Sequence, residues 1–136
     1  MKPYRAPAWL PGGHLQTLWP LLIKPSALPL RRERWDTPDG DFIDVDCLDA
    51  AADAPTLVLF HGLEGSARSH YARSTARACH DAGWRLLLPH FRGCSGELNR
   101  RPRAYHSGDS EEIDWILRRI QRSEERRVGK ECRSRW

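Results

Sequence analysis

The chain has 136 residues and a mass of 15.7 kDa, one domain's worth at most. Hydrophobic residues at 40% and charged residues at 29% exclude a disordered or collagen-like chain. The longest apolar run, Leu21-Leu22-Ile23, is closed in by Pro20 and Lys24-Pro25, which excludes a bilayer span.

The net charge of +4 and pI near 9.1 point to nucleic acid only until the charge is placed. Residues 122–136 carry six Lys/Arg and three Glu, so the other 121 residues hold a net charge of +1. That stretch has no helical apolar stripe and no strand alternation. It resembles, residue for residue, the translation of a common sequencing adapter, and is expected to be a non-native tail; the alternative is a basic tail that meets nucleic acid or acidic lipid. The start Met-Lys-Pro-Tyr-Arg lacks the apolar core of a secretory signal. Cys47, Cys79, Cys94 and Cys132 show no CxxC or zinc spacing. They read as reduced thiols of a cytoplasmic protein without metal or nucleic-acid partner.

Six of the ten prolines fall before residue 30, which predicts an extended arm over residues 1–29 with at most one helical turn around His14–Trp19. Trp9, Leu15, Leu18 and Trp19 are expected to anchor it by burial. Leu30–Trp35 fits an edge strand, and Pro38-Asp39-Gly40 a tight turn. Phe42–Leu48 alternates, predicting a half-buried antiparallel strand with Asp44 and Asp46 on its polar face. Thr56–Phe60 is apolar on both faces, as a parallel strand between helices should be. The glycine loop His61–Ser66 follows, then a helix from about Ser69 to Ala82 with the stripe Tyr71, Thr75, Ala78, Cys79 and Ala82, stopped by Gly83. Trp84–Pro89 is the next apolar strand. After the loop His90–Gly96, Asp109 and Glu112 form a capping-box pattern before a helix with Ile113, Ile116, Leu117 and Ile120 on its core face. Strand, helix and strand at this spacing predict a βαβ crossover in an α/β domain over residues 30–121.

Ligands of open parallel sheets sit at the carboxyl ends of strands, here the loops His61–Ser66 and His90–Gly96. The first suits an oxyanion hole, which needs preorganised N–H donors, and reads equally well as a tight strand-to-helix turn. Ser66 is expected to cap the helix. Ser95 lies in Gly93-Cys94-Ser95-Gly96 and reads as a turn serine. His61, His90 and Arg92 are candidates for lining the crevice, with Glu97 or Asp109 as the expected partner of Arg92. Metal binding by His61, His90 and Cys94 has no support in their spacing.

The blocks His61-Gly62-Leu63-Glu64-Gly65-Ser66, His90-Phe91-Arg92-Gly93-Cys94-Ser95-Gly96-Glu97 and Tyr105-His106-Ser107-Gly108 resemble the YheT-type esterase branch of the α/β-hydrolases. His14-Leu15-Gln16-Thr17 and Pro38-Asp39-Gly40-Asp41-Phe42 are similar as well. The resemblance implies carboxylic ester hydrolysis by a Ser-Asp-His triad, a small-molecule ester substrate and no metal or organic cofactor. It places the oxyanion donor on the Leu63 N–H, with Gly62 keeping the approach open. The Gly-x-Ser-x-Gly elbow that presents the nucleophile is absent from the chain. The chain is therefore expected to be an N-terminal α/β-hydrolase fragment with an incomplete sheet. Its triad lies beyond residue 121, and alone it is inactive and poorly soluble. The competing reading is a non-catalytic binding module of hydrolase fold with a basic tail.

Overall fold

The computed structural model describes residues 5–22, 26–62, 65–103 and 109–134, with the backbone alone at 20, 21 and 126–134. In chain order the elements are α1 (Gly13–Leu22), β1 (Arg31–Asp36), β2 (Phe42–Leu48), β3 (Thr56–Val58), α2 (His70–Ala82), β4 (Arg85–Pro89) and α3 (Ser110–Ser134). The strands form one mixed sheet in the order β1-β2-β4-β3. This is a partial α/β fold.

The hairpin forms as its residues dictate. Gly40 sits at φ 79°, a conformation that glycine alone takes without strain. Its N–H donates to Thr37 O and the Thr37 N–H to Asp41 O, each at 3.0 Å. β1 then pairs antiparallel with β2, with Trp35 opposite Ile43. β2 pairs antiparallel with β4, and β4 pairs parallel with β3. The parallel pair is joined by α2, since no short turn can connect two parallel strands.

Alternation along the strands sends apolar side chains to both faces of the sheet. On one face, Trp35, Ile43, Val45, Cys47 and Leu87 meet Ile116 and Ile120 of α3, with Val58 and Phe60 at the margin. On the other, Leu48 and Leu86 meet Ala76 and Cys79 of α2, flanked by Leu28, Leu30, Leu57 and Leu59. Ile116, fully buried, contributes roughly 1.5–3 kcal/mol by leaving water. Gly83 ends α2 in the left-handed conformation at φ 69°, as a C-terminal glycine should.

Several expectations need correction. The stretch around His14–Trp19 is a ten-residue helix, not one turn; it ends two residues after Pro20, which cannot supply an N–H bond. Trp9, Leu15, Leu18 and Trp19 are exposed, because α1 has no extended packing against any strand or other helix. Among the described residues, Leu28 of the arm and Leu30 just past it pack against the core. In α2 the buried face is Ala72, Ala76 and Cys79, while Ala78 and Ala82 are exposed; the small alanines let the helix approach Leu86. Leu117 of α3 is 45% exposed. The same helix continues without a break past residue 121, since Glu, Arg and Lys are strong helix formers even without an apolar stripe.

β3 lies at the edge of the sheet. The Leu59 N–H donates to Leu87 O at 2.9 Å, so the alternate residue, Val58, turns its N–H and C=O to the open side. An apolar strand with an unpaired edge templates aggregation. The purified chain is expected to self-associate, and Val58→Pro, which deletes the outward donor and spares the bonds to β4, to raise the soluble fraction. Light scattering at matched concentrations checks this; equal scattering would place the association elsewhere.

Candidate functional site

The carboxyl ends of β3 and β4 lie side by side in the parallel pair, and the loops leaving them are bolted together by His61. Its Nδ1 lies 2.9 Å from Gly62 O, and a carbonyl can only accept, so Nδ1 carries the proton. Nε2 is then a bare acceptor, and it takes the Phe91 N–H at 3.1 Å. The ring is buried and packs edge-on against Phe91 at 5.0 Å. Burial pushes its pKa below the ordinary histidine value.

The glycine loop is shaped by close approach. A Cβ on Gly65 would stand 2.5 Å from the Tyr71 hydroxyl and 2.9 Å from both Gly62 O and the His61 Cβ, so only glycine fits there. Around Gly62 the space is open, and its N–H donates to the Tyr71 hydroxyl at 3.1 Å. Leu63 falls outside the described residues, as do Tyr105, His106, Ser107 and Gly108. The residue at the N-cap of α2 is Ser69, not Ser66. Ser66 instead closes the preceding turn: its carbonyl accepts from the Ser69 hydroxyl at 2.8 Å, and its Oγ accepts from the Arg68 N–H at 3.3 Å.

His90 directly follows β4 with its side chain only 1% exposed. Nε2 donates to Asp46 Oδ2 at 2.7 Å, and Nδ1 has no hydrogen-bond partner among the described residues. Asp46 also accepts two bonds from Arg32, at 2.7 and 3.0 Å. Burial opposes its charge, but His90 and Arg32 outweigh that and hold the carboxyl well below the usual carboxylate range. One pair along, Arg34 bonds Asp44 at 2.8 and 3.0 Å. Asp44 is also held low: burial raises it, and Arg34 and Ser95 more than compensate. Asp44 and Asp46 are thus buried ion-pair partners and not a solvated polar face. Registry explains this, because Arg32 faces Asp46 and Arg34 faces Asp44 directly across the hairpin. The same two arginines pin the loop after β4, Arg32 to Ser95 O at 2.9 Å and Arg34 to Glu97 at 2.7 Å. Between the two loops is a cavity of about 210 Å³ lined by Arg32, Ser66, Arg68, His90, Cys94 and Ser95.

Arg92 has other partners than those expected. Glu97 pairs with Arg34 and Asp109 with Arg103, while the Arg92 guanidinium, 4% exposed, bonds Glu112 at 2.5 Å, Asp39 at 2.8 Å and Asp41 at 3.0 Å. Glu112 and Asp109 therefore spend their carboxylates on arginines. Asp41 is fully buried and accepts also from the Phe42 and Arg100 N–H groups, each at 2.9 Å, and from Asn99 at 3.0 Å. Burial would raise its pKa, but these donors outweigh that and depress it. Arg92 and Thr37 likewise depress Asp39. Arg92 lines a different cavity, about 190 Å³ beside Asp39, Glu112 and Trp115. The roles of Asp41 and of the Arg32/Arg34 pair are invisible residue by residue. The visible signal was two period-2 patterns, Arg-x-Arg and Asp-x-Asp, on strands joined by a turn.

Over 113 residues, 80% of this chain, the sequence is 46% identical to a putative esterase of Escherichia coli (strain K12), YheT, covering 33% of that protein. Phospholipase ABHD3 of Homo sapiens is 26% identical over 126 residues, 86% of this chain and 31% of its own. An abhydrolase domain-containing protein of Dictyostelium discoideum is 33% identical over 94 residues, 65% and 24% respectively. This chain is related to the α/β-hydrolases. The relationship holds over part of its length, and the chain spans no more than a third of these relatives. No family model and no solved structure matches it. On the hydrolase sheet, the His61 and His90 loops occupy the strand ends at which α/β folds place their ligands.

Two predictions follow from the buried polar groups. Arg92→Met leaves three carboxylates without their shared cation, two of them buried, and is expected to cost about 3–5 kcal/mol. Arg92→Lys should recover little, because a point charge cannot fork to all three. Urea midpoints of the three proteins measure both. The second concerns pH. His61 binds its proton more weakly folded than unfolded, so its contribution is complete above about pH 6.5 and declines as pH falls through that value. The depressed carboxylates of Asp39, Asp41, Asp44 and Asp46 contribute fully above about pH 4, and that stability is lost as pH falls towards their lower folded values. Urea midpoints recorded from pH 8 to pH 3 should fall in both windows, and His61→Gln should flatten the upper one. A constant midpoint between pH 7 and pH 5 in the unmodified chain would contradict the histidine assignment.

Proposed function

We propose that the chain is the N-terminal part of a serine carboxylic ester hydrolase and supplies the oxyanion side of its active site. The observation that carries this reading is the His61–Gly65 loop at the end of β3. Histidine hydrogen bonds hold it to the β4 loop, and close contact allows only glycine at 65. The names of the relatives, a putative esterase and a phospholipase, point the same way.

In this reading a serine beyond residue 121 attacks the ester carbonyl, and a histidine beyond residue 121 takes its proton. The Leu63 N–H donates to the oxyanion as charge develops on it. His61 and His90 line the crevice and Arg92 stabilises the loop beneath it. Residues 122–136 stand outside the hydrolase domain although α3 runs on into them. The protein is cytoplasmic, acts on a small-molecule ester and has no nucleic-acid partner, in line with the net charge of +1 on residues 1–121.

The test has two arms. The chain alone is expected to leave p-nitrophenyl butyrate unhydrolysed and to resist labelling by a fluorophosphonate. Residues 1–121 grafted in place of the matching segment of the Escherichia coli relative are expected to give an active hydrolase. There Leu63→Pro, which deletes the N–H donor, should lower kcat about 10²–10³-fold. Fluorophosphonate labelling of Ser66 or Ser95 in the chain alone would overturn the absent triad. An active graft that keeps its kcat with Leu63→Pro would overturn the oxyanion assignment.

A further inference from the structure

On α1, Leu15, Leu18, Trp19 and Leu22 keep the i, i+3, i+4, i+7 spacing that makes one apolar stripe, and Leu21 falls off it in sequence. A stripe of this kind normally faces a core. Here Leu15, Leu18, Trp19 and Leu22 are 50%, 53%, 38% and 77% exposed, and Trp9 is 65% exposed. Trp9 stacks edge-on against Trp19, ring centroids 5.3 Å apart, so the patch extends beyond the helix. The segment holds its form from within. Thr17 Oγ1 donates to Gly13 O at 2.9 Å and Gln16 Nε2 to Leu10 O at 3.3 Å.

The charge of the flanking sequence has one sign. Up to residue 32 the chain carries five Lys/Arg and no Asp or Glu. Arg31 and Arg32 are committed to Asp49 and Asp46; Lys2, Arg5 and Lys24 flank the stripe in sequence. No helix of the described residues is long and apolar enough to cross a membrane, and ten residues could not span one. An exposed apolar stripe, tryptophans beside it and flanking cations without anions are instead the features of a helix lying in a headgroup layer. In sequence these cations have no anion beside them, a charge that anionic headgroups complement.

We propose that α1 and Trp9 form a docking surface for an anionic lipid bilayer, with the helix in the plane of the interface and its stripe turned into the acyl boundary. The surface acts whether or not the chain belongs to an ester hydrolase, so vesicle binding and ester turnover test separate claims. All five side chains are exposed, so replacing them leaves the core untouched.

The experiment is flotation of the full chain with phosphatidylcholine vesicles, with and without 30 mol% phosphatidylglycerol (about one lipid in three, enough for the surface potential to matter). Flotation is used because aggregated protein sinks. Co-flotation with the anionic vesicles, weakened by high salt, is expected. The double variant Leu18→Ser/Trp19→Ser, with unchanged circular dichroism, should partition at least about tenfold less. Three results would each overturn the proposal. One is no flotation. Another is flotation untouched by the double variant but lost on deleting residues 122–136, which would assign the attraction to the tail. The last is a vesicle-independent dimer, seen by analytical ultracentrifugation and dissolved by the same double variant, which would make a second copy the occupant.

Discussion

The Arg92 guanidinium ties three carboxylates from two distant stretches of the chain to the loop after β4. It binds Asp39 in the hairpin turn, Asp41 at the entry to β2 and Glu112 in the first turn of α3. Without it, two buried carboxylates would face a low-dielectric interior uncompensated. With it, the loop after β4 acquires a fixed root, and Asn99 completes that loop by accepting from the Gly93 N–H and donating to Phe42 O. The candidate site depends on this root. His61 holds the glycine loop through the N–H of Phe91, the residue immediately before Arg92.

A second constraint works across the sheet. The Arg32–Asp46 and Arg34–Asp44 pairs are ordinary cross-strand neighbours in register, but both carboxylates are buried while the guanidiniums stay partly exposed and reach the loop after β4. Asp46 gains His90 as a further partner, and the proton on His90 Nε2 is thereby assigned. The crevice floor is therefore set by strand registry, although each residue lies far in sequence from the glycine loop. Interactions of this sort fix a tautomer and a loop position together. That is what an active site asks of its surroundings.

Much of the fold was readable because it follows from local rules. Gly40 and Gly83 mark places where the chain needs positive φ. Alternation identified β2, and two-sided apolarity marked β3 and β4 as a parallel pair joined by a helix. The failures share one cause. The stripe of α1 was legible as a pattern, but a pattern does not say what covers it. Asp44 and Asp46 were legible as alternating carboxylates, but whether water or a loop faces them depends on residues some fifty positions away. Glu97 and Asp109 were chemically reasonable partners for Arg92. Three other carboxylates lay closer in space.

The sequence by itself determined where β1 to β4, α2 and the start of α3 lie, where the turns fall, which two loops leave the parallel pair, and that no nucleophile elbow lies in this chain. These follow from backbone sterics and hydrophobic period, which act over a few residues. Only the tertiary structure decided which carboxylates share Arg92, that His90 is held by Asp46, that Ser69 and not Ser66 caps α2, and that the apolar face of α1 stays uncovered. Those outcomes rest on registry and burial. A charge or an apolar side chain takes its energy from what long-range packing places against it, and composition and spacing do not record that.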